Sequence, residues 1–143
     1  MFSEYNYNFD PIIIVNFNKS LNNDNEFDDF LYKWLELYKR GKDYIFLFDT
    51  RKMNDVPFKY CIKMALFIKK LKKEKYHYLK KSIILVNNEM IKNMLDIVFM
   101  IQRPVAPVYI WNTESIIDKN ILRECILCKK IRMNKNMIYV DIN

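Results

Sequence analysis

Five consecutive apolar or aromatic residues, Tyr44, Ile45, Phe46, Leu47 and Phe48, run without a polar break into Asp49. A strand with one wet face alternates polar and apolar residues. An unbroken run this short therefore reads as a strand covered on both faces, as in a parallel sheet under helices. A polar turn follows, and residues 57–71, PFKYCIKMALFIKKL, then carry apolar side chains at helical spacing. Strand, loop and amphipathic helix meet around one carboxylate. Asp49 falls at the carboxyl end of the strand, where open α/β sheets place ligand crevices and partner-facing loops.

The flanking sequence continues the alternation of strands and helices. EYNYNF at 4–9 alternates polar and aromatic residues, and Asp10-Pro11 separates it from IIIVNF at 12–17. Two strands joined by a tight turn are predicted, the first at an edge with one wet face. The polar segment at 18–25 leads to a helix over about 26–40, with Phe27, Phe30, Leu31, Trp34, Leu35 and Tyr38 as one apolar stripe. Asp24 is its expected cap, and Gly41, the only glycine in the chain, stops it where a left-handed backbone is wanted. The helix after Pro57 takes Asn54 or Asp55 as its expected cap and turns Phe58, Cys61, Ile62, Ala65, Phe67, Ile68 and Leu71 to the core. Ser82 opens a buried strand, SIILV. A helix over about 89–102 directs Met90, Ile91, Met94, Leu95, Val98 and Ile101 inward, and 108–111 forms a short strand. Thr113 caps a last helix over about 114–132 that uses Ile117, Ile121, Leu122, Cys125, Cys128 and Ile131. MIYVDI at 137–142 has strand composition and pairs either with the sheet edge or with a neighbouring molecule.

With 143 residues, 51% of them hydrophobic, the chain has material for one domain with a sizeable core. That domain is expected to span 1–143, with its core at about 5–132 and a terminal strand or tail at 133–143. No run of apolar residues reaches membrane-spanning length and no secretion signal opens the chain, so a cytoplasmic protein is expected. The three cysteines, Cys61, Cys125 and Cys128, each lie in an apolar helical pattern, which suits packed, reduced thiols. No second pair or nearby histidine completes a zinc site around Cys125 and Cys128. The one histidine, His77, stands in a lysine-rich stretch, and a lone glycine cannot build a phosphate cradle. Asp49 and Asp55 would need a third acid to hold a metal, and Asp49 reads first as a strand-end or turn hydrogen-bonder. Met90, Met94 and Met100 read as core or groove filler. No catalytic residue, cofactor or metal is assigned, and the chain reads as a non-enzyme. One glycine among many Asn, Lys, Ile and Tyr points to an AT-rich genome.

The charge is local. Residues 69–81 hold seven lysines and one glutamate, a net of +6 within a chain whose total is +7. The run reads as the solvated end of a helix and its loop. As a surface patch, Lys69, Lys70, Lys72, Lys73, Lys75, Lys80 and Lys81, with Tyr76, His77 and Tyr78 among them, would suit an acidic protein, an anionic membrane surface or nucleic acid. Lysine lacks the planar fork of arginine, so sequence-specific nucleic-acid binding is the weakest of the three.

Taken together, IIIVNF, the IFLFDT strand ending in Asp49-Thr50, the helix after Pro57, and the SIILVNN and PVYIW strands resemble the STAS superfamily over about residues 5–132. This is the fold of bacterial anti-sigma factor antagonists and of sulfate-transporter cytoplasmic tails; a more distant likeness is to the lipid-binding CRAL-TRIO fold. The resemblance implies an α/β single-domain sandwich, with a central, mostly parallel sheet of four to five strands and about four helices. It also implies a regulatory protein–protein interaction domain. One departure matters: phospho-switched members carry an Asp-Ser pair at the start of the helix after this strand, whereas this chain reads Asn54-Asp55-Val56-Pro57-Phe58. No hydroxyl stands there to accept phosphate, so the resemblance implies a scaffold presenting a surface. The expected partner-facing residues are Asp49, Thr50, Asp55, Pro57 and Phe58, with homo-oligomerisation through exposed apolar residues or the terminal strand as a further expectation. The alternative is a small-ligand or lipid-binding module of CRAL-TRIO type beneath the lysine patch, and a small enzyme is third. A cavity of several hundred cubic ångströms would favour the binder, and a filled core with an exposed apolar patch would favour docking.

Overall fold

The computed structural model describes residues 1–143 apart from Ser20 and Asn22, which fall in the polar lead-in at 18–25, so the expectation for that segment lies partly outside the described residues. Six strands form one sheet in chain order: β1 (Ser3–Phe9), β2 (Ile12–Phe17), β3 (Tyr44–Asp49), β4 (Leu79–Val86), β5 (Val108–Asn112) and β6 (Met137–Val140). Four helices connect them: α1 (Asp24–Lys39), α2 (Phe58–Leu71), α3 (Glu89–Ile101) and α4 (Lys119–Leu127), with a 3₁₀ turn at Lys130–Arg132. Strands β2 to β5 are parallel, while β1 joins β2 and β6 joins β5 antiparallel.

The fold is thus α/β, but its sheet has six strands rather than four or five and is mixed at both edges. The physical reason lies in the connections. Two residues between β1 and β2 permit only a hairpin, whereas each parallel neighbour needs a helical crossover. The chain end returns along β5, with Trp111 opposite Met137 and Val108 opposite Val140, so the terminal strand pairs within the molecule.

Strand alternation sorts the core into two layers. Ile13, Val15, Phe46, Phe48, Ile84, Val86, Val108 and Ile110 point to one face, where α1, α2 and α3 cover them. Ile12, Ile14, Leu47, Ile83, Leu85, Tyr109 and Trp111 point to the other, under Ile121, Cys125 and Cys128 from α4 and the turn that follows it. The first layer is rich in aromatic rings: Trp34 of α1 stands edge-on to Phe46 at 5.0 Å between centroids, and Phe17 meets Phe30 at 5.1 Å. Such pairs gain about 0.5–1.5 kcal/mol beyond area burial.

Several boundaries differ from the sequence expectation, each for a local reason. Asn23, not Asp24, caps α1, its side chain accepting from the Glu26 amide at 3.0 Å; Asp24 is already helical, and its carboxylate accepts from Tyr60 Oη at 2.8 Å. Neither Asn54 nor Asp55 caps α2: Pro57 stands at the cap position, and no side chain bonds the first turn. Strand β4 begins at Leu79 rather than Ser82, so the last lysines of the charged run lie in the sheet. Helix α4 begins after Asp118, whose side chain accepts from the amides of Asn120 and Ile121, and it ends at Leu127, leaving Ile131 exposed. Met90 and Ile101, expected inward, are exposed, and Phe99 is buried instead.

Gly41 has φ +67°, the left-handed conformation expected beyond α1, and a methyl group there would meet only Tyr78 Oη at 3.8 Å. Replacing it therefore costs backbone energy rather than space. Gly41→Ala is expected to lower stability by about 1 kcal/mol, read from the midpoint shift in urea unfolding. Gly41→Asn should lose less, and an unchanged midpoint for both would contradict this.

Candidate functional site

The carboxyl ends of β3, β4 and β5 form a rim, and Asp49 closes β3 there. Its carboxylate does not face solvent freely. Arg51, two residues on, folds back and holds both oxygens: Nε donates to Oδ1 at 2.9 Å and Nη2 donates to Oδ2 at 3.0 Å. The Arg51 amide also donates to Oδ1 at 3.1 Å, so Asp49 is a turn hydrogen-bonder with a fixed cation. Arg51 Nη1 reaches further and donates to the carbonyls of Thr113 (3.2 Å) and Ser115. One guanidinium thereby ties the tip of β3 to the segment after β5. Arg51 thus occupies the carbonyls of Thr113 and Ser115, while Asp118 caps the helix that starts beyond them.

The other expected partner-facing residues separate into two groups. Thr50 is 5% exposed, and its hydroxyl donates to the Leu85 carbonyl at 2.7 Å, which removes it from any partner's reach. Asp55, Pro57 and Phe58 stand in solvent at the entry to α2, Phe58 with 59% of its surface exposed.

Phe58 starts a row that the sequence did not single out. Spaced four apart along α2 come Ile62, half-buried, and Leu66, 60% exposed. On α3, which packs beside α2, Met90, Ile97 and Ile101 share one side by helical spacing and are exposed, with Met100 next to them at 82%. The signal was present in the sequence: Leu66, Ile97 and Met100 are apolar residues left over once each helix's inward stripe is assigned.

The seven lysines do not form one free patch. Lys72 Nζ donates to the Ile142 carbonyl at 3.1 Å, and Lys80 Nζ donates to the His77 carbonyl at 3.0 Å and pairs with Asp43 at 3.5 Å. Lys81 crosses to the other layer and donates to the Ile126 and Cys128 carbonyls at 2.8 and 2.9 Å, capping the carboxyl end of α4. Lys69, Lys70, Lys73 and Lys75 remain exposed, with no ion pair among the described residues. Lys69, Lys70 and Lys73 continue the outward side of α2 beyond Leu66, and Lys75 lies 5.5 Å from the centre of the Tyr76 ring.

Inside the aromatic-rich layer, between the sheet and α1, α2 and α3, lies a cavity of about 110 Å³ lined mainly by apolar side chains, Phe and Met among them. The thiols are buried and free; Cys125 is pushed up to about 12, first by burial and then by Cys128, and burial also raises Cys61 and Cys128. His77 is half-buried with its Nδ1 3.4 Å from Tyr38 Oη. Among the described residues no cluster of three or more His, Cys, Asp or Glu side chains is arranged to hold a metal ion, and no helix is long and apolar enough to cross a membrane.

Comparison with protein-family models, with curated proteins and with solved structures found no match.

Two outcomes follow from this geometry. Arg51→Ala leaves a mostly buried carboxylate and two carbonyls without their cation, and is expected to cost about 2–4 kcal/mol in urea unfolding; a loss below about 0.5 kcal/mol would show the clamp to be ornamental. Because a raised thiol pKa keeps the neutral, unreactive form through neutral pH, iodoacetamide at pH 8 should leave all three cysteines unmodified in the native chain and label all three in guanidinium. Rapid native labelling would contradict the packing described.

Proposed function

We propose that this chain is a non-enzymatic, STAS-like interaction module that docks onto a protein partner through the outward side of α2 and α3. The observation that carries this is the exposed row Phe58, Leu66, Met90, Ile97, Ile101 and Met100 on two adjacent helices. Single scattered exposed apolar residues need no explanation, but six on two packed helices, with charge at the end of α2, suit an interaction face. The β3–α2 loop, with Asp55 and Pro57, borders this face at one end, and Lys69, Lys70, Lys73 and Lys75 border it at the other. The partner that fits is a protein with an apolar stripe flanked by carboxylates, the lysines steering approach and the apolar row supplying affinity.

The order of elements and the strand-end Asp49 support the STAS-like reading. The absence of a hydroxyl between Asn54 and Phe58 makes this a surface that acts by being presented, without a phosphate switch. The lipid-binding alternative is less well supported, because lipid-sized ligands occupy pockets of roughly 300–1,000 Å³, well above the 110 Å³ enclosed here.

The test is affinity capture from the native cell with quantitative mass spectrometry, comparing the chain with two variants. Leu66→Glu combined with Met100→Glu, both at exposed positions, should reduce a specific protein partner at least about tenfold. Changing Lys69, Lys70, Lys73 and Lys75 to Gln should weaken it several-fold and flatten its salt dependence. A partner retained equally by all three proteins would place docking elsewhere. Retention on anionic vesicles with no captured protein would replace the protein partner with a membrane surface.

A further inference from the structure

We infer, resting on the docking reading above, that the protein received by the outward side of α2 and α3 is a second copy of this chain. The two copies pack this face against itself in antiparallel register about a two-fold axis.

The direction of the helices comes first. Strands β3, β4 and β5 are parallel, so α2 and α3 each leave the carboxyl end of one strand and return the chain to the amino end of the next. The two helices therefore run the same way, and the face they share starts at the carboxyl rim of the sheet. At that rim stand Asp55, in the lead-in to α2, and Glu89, the first residue of α3; both are exposed, and neither has an ion pair among the described residues. The cations that α2 and α3 carry near this end are committed elsewhere: Lys59 and Lys63 pair with Asp24 of α1 at 3.3 and 3.8 Å, and Lys92 pairs with Asp96 at 3.5 Å. At the far end stand the exposed Lys69, Lys70 and Lys73, with Glu74 as the one acid in that stretch. The 14 residues of α2 set the two ends about 21 Å apart. That exceeds the screening length of about 8 Å at physiological salt, so they act as separate charges of opposite sign.

Such a face is complementary to itself. An isologous contact lays the same patch of each copy on the other, and with the two-fold axis perpendicular to the helices the direction is reversed. Phe58 and Met90 of one copy then lie toward Met100 and Ile101 of the other, while Leu66 and Ile97 fall nearer the axis. Asp55 and Glu89 meet Lys69 and Lys73, twice over by symmetry. An axis parallel to the helices would instead set lysine against lysine and carboxylate against carboxylate, so charge selects the antiparallel pairing. A second copy thus supplies the partner chemistry this face calls for: an apolar row bordered by carboxylates.

The experiment is sedimentation velocity of the whole chain at concentrations up to about 200 μM, where a species of twice the monomer mass is expected to grow with concentration. Leu66→Glu combined with Met100→Glu should weaken the dimer at least about tenfold. Asp55→Lys with Glu89→Lys, and separately Lys69→Glu with Lys73→Glu, should each weaken it by about as much, because like charges then meet. An equimolar mixture of these two charge variants should recover the dimer, since both ends of the mixed pair are again opposite in sign. Should Glu89→Lys loosen the start of α3, Asp55→Lys mixed with Lys69→Glu makes the same comparison. The inference is overturned if the unmodified chain stays monomeric, if the dimer is indifferent to these substitutions, or if the mixture fails to recover it. The docking reading fails separately: it survives a monomeric chain that still captures a protein released by Leu66→Glu with Met100→Glu, and falls as well if that capture is unchanged.

Discussion

Strand β3 is out of water on both sides, and the rest of the molecule is arranged to keep it so. Tyr44, Phe46 and Phe48 press against α1, while Leu47 is fully buried in the layer under α4. Its two backbone edges are paired with β2 and β4, residue by residue along most of its length. A fully buried aromatic or leucine side chain gains about 1.5–3 kcal/mol from leaving water, and no other strand commits as much aromatic surface to one layer. Covering both faces requires helices on both faces, which in turn requires crossover connections and parallel neighbours. The antiparallel strands are left to the edges, where short links and the chain end can supply them.

A strand fixed on every side has a fixed tip. Asp49 and Arg51 project from it, and because the strand does not move, the guanidinium can hold the segment after β5 in place as well. The rim is therefore internally committed, and the docking proposed above falls to what the core does not need. Outside, that is the apolar row on α2 and α3 with four unpaired lysines at its foot. There the pattern of apolar inside and polar outside is broken, and such breaks concentrate at functional surfaces.

Legibility from sequence followed the strength of local signals. The two-sided burial of β3 was readable because five apolar residues in succession have few other uses, and Gly41 was readable because only a left-handed position calls for it. The start of β4 was hidden by lysines: Lys80 points out, while Lys81 satisfies carbonyls on a helix distant in sequence, a contact no local pattern reveals. Helix α3 is so rich in apolar residues that its inward set depends on how it sits beside α2, which is why Met90 and Ile101 were misplaced. Helix α4 starts late because Asp118 rather than Thr113 caps it, while Arg51 holds the Thr113 carbonyl from 62 residues away, a tertiary contact no local pattern shows. Of the site, the solvent position of Phe58 and Asp55 was accessible to local reasoning. The burial of Thr50 was not, since it follows from the Leu85 carbonyl on the neighbouring strand.

The most direct measurement of the central role of β3 is native-state amide hydrogen exchange, resolved by residue. If two-sided burial of this strand holds the layers together, the amides of Leu47 and Phe48 and their β4 neighbours Ile84 and Leu85 should exchange only through global unfolding. They should then be at least about tenfold slower than those of the edge strands β1 and β6. Amides of β3 that exchange as fast as those edges, or at a free energy well below that of global unfolding, would contradict the account.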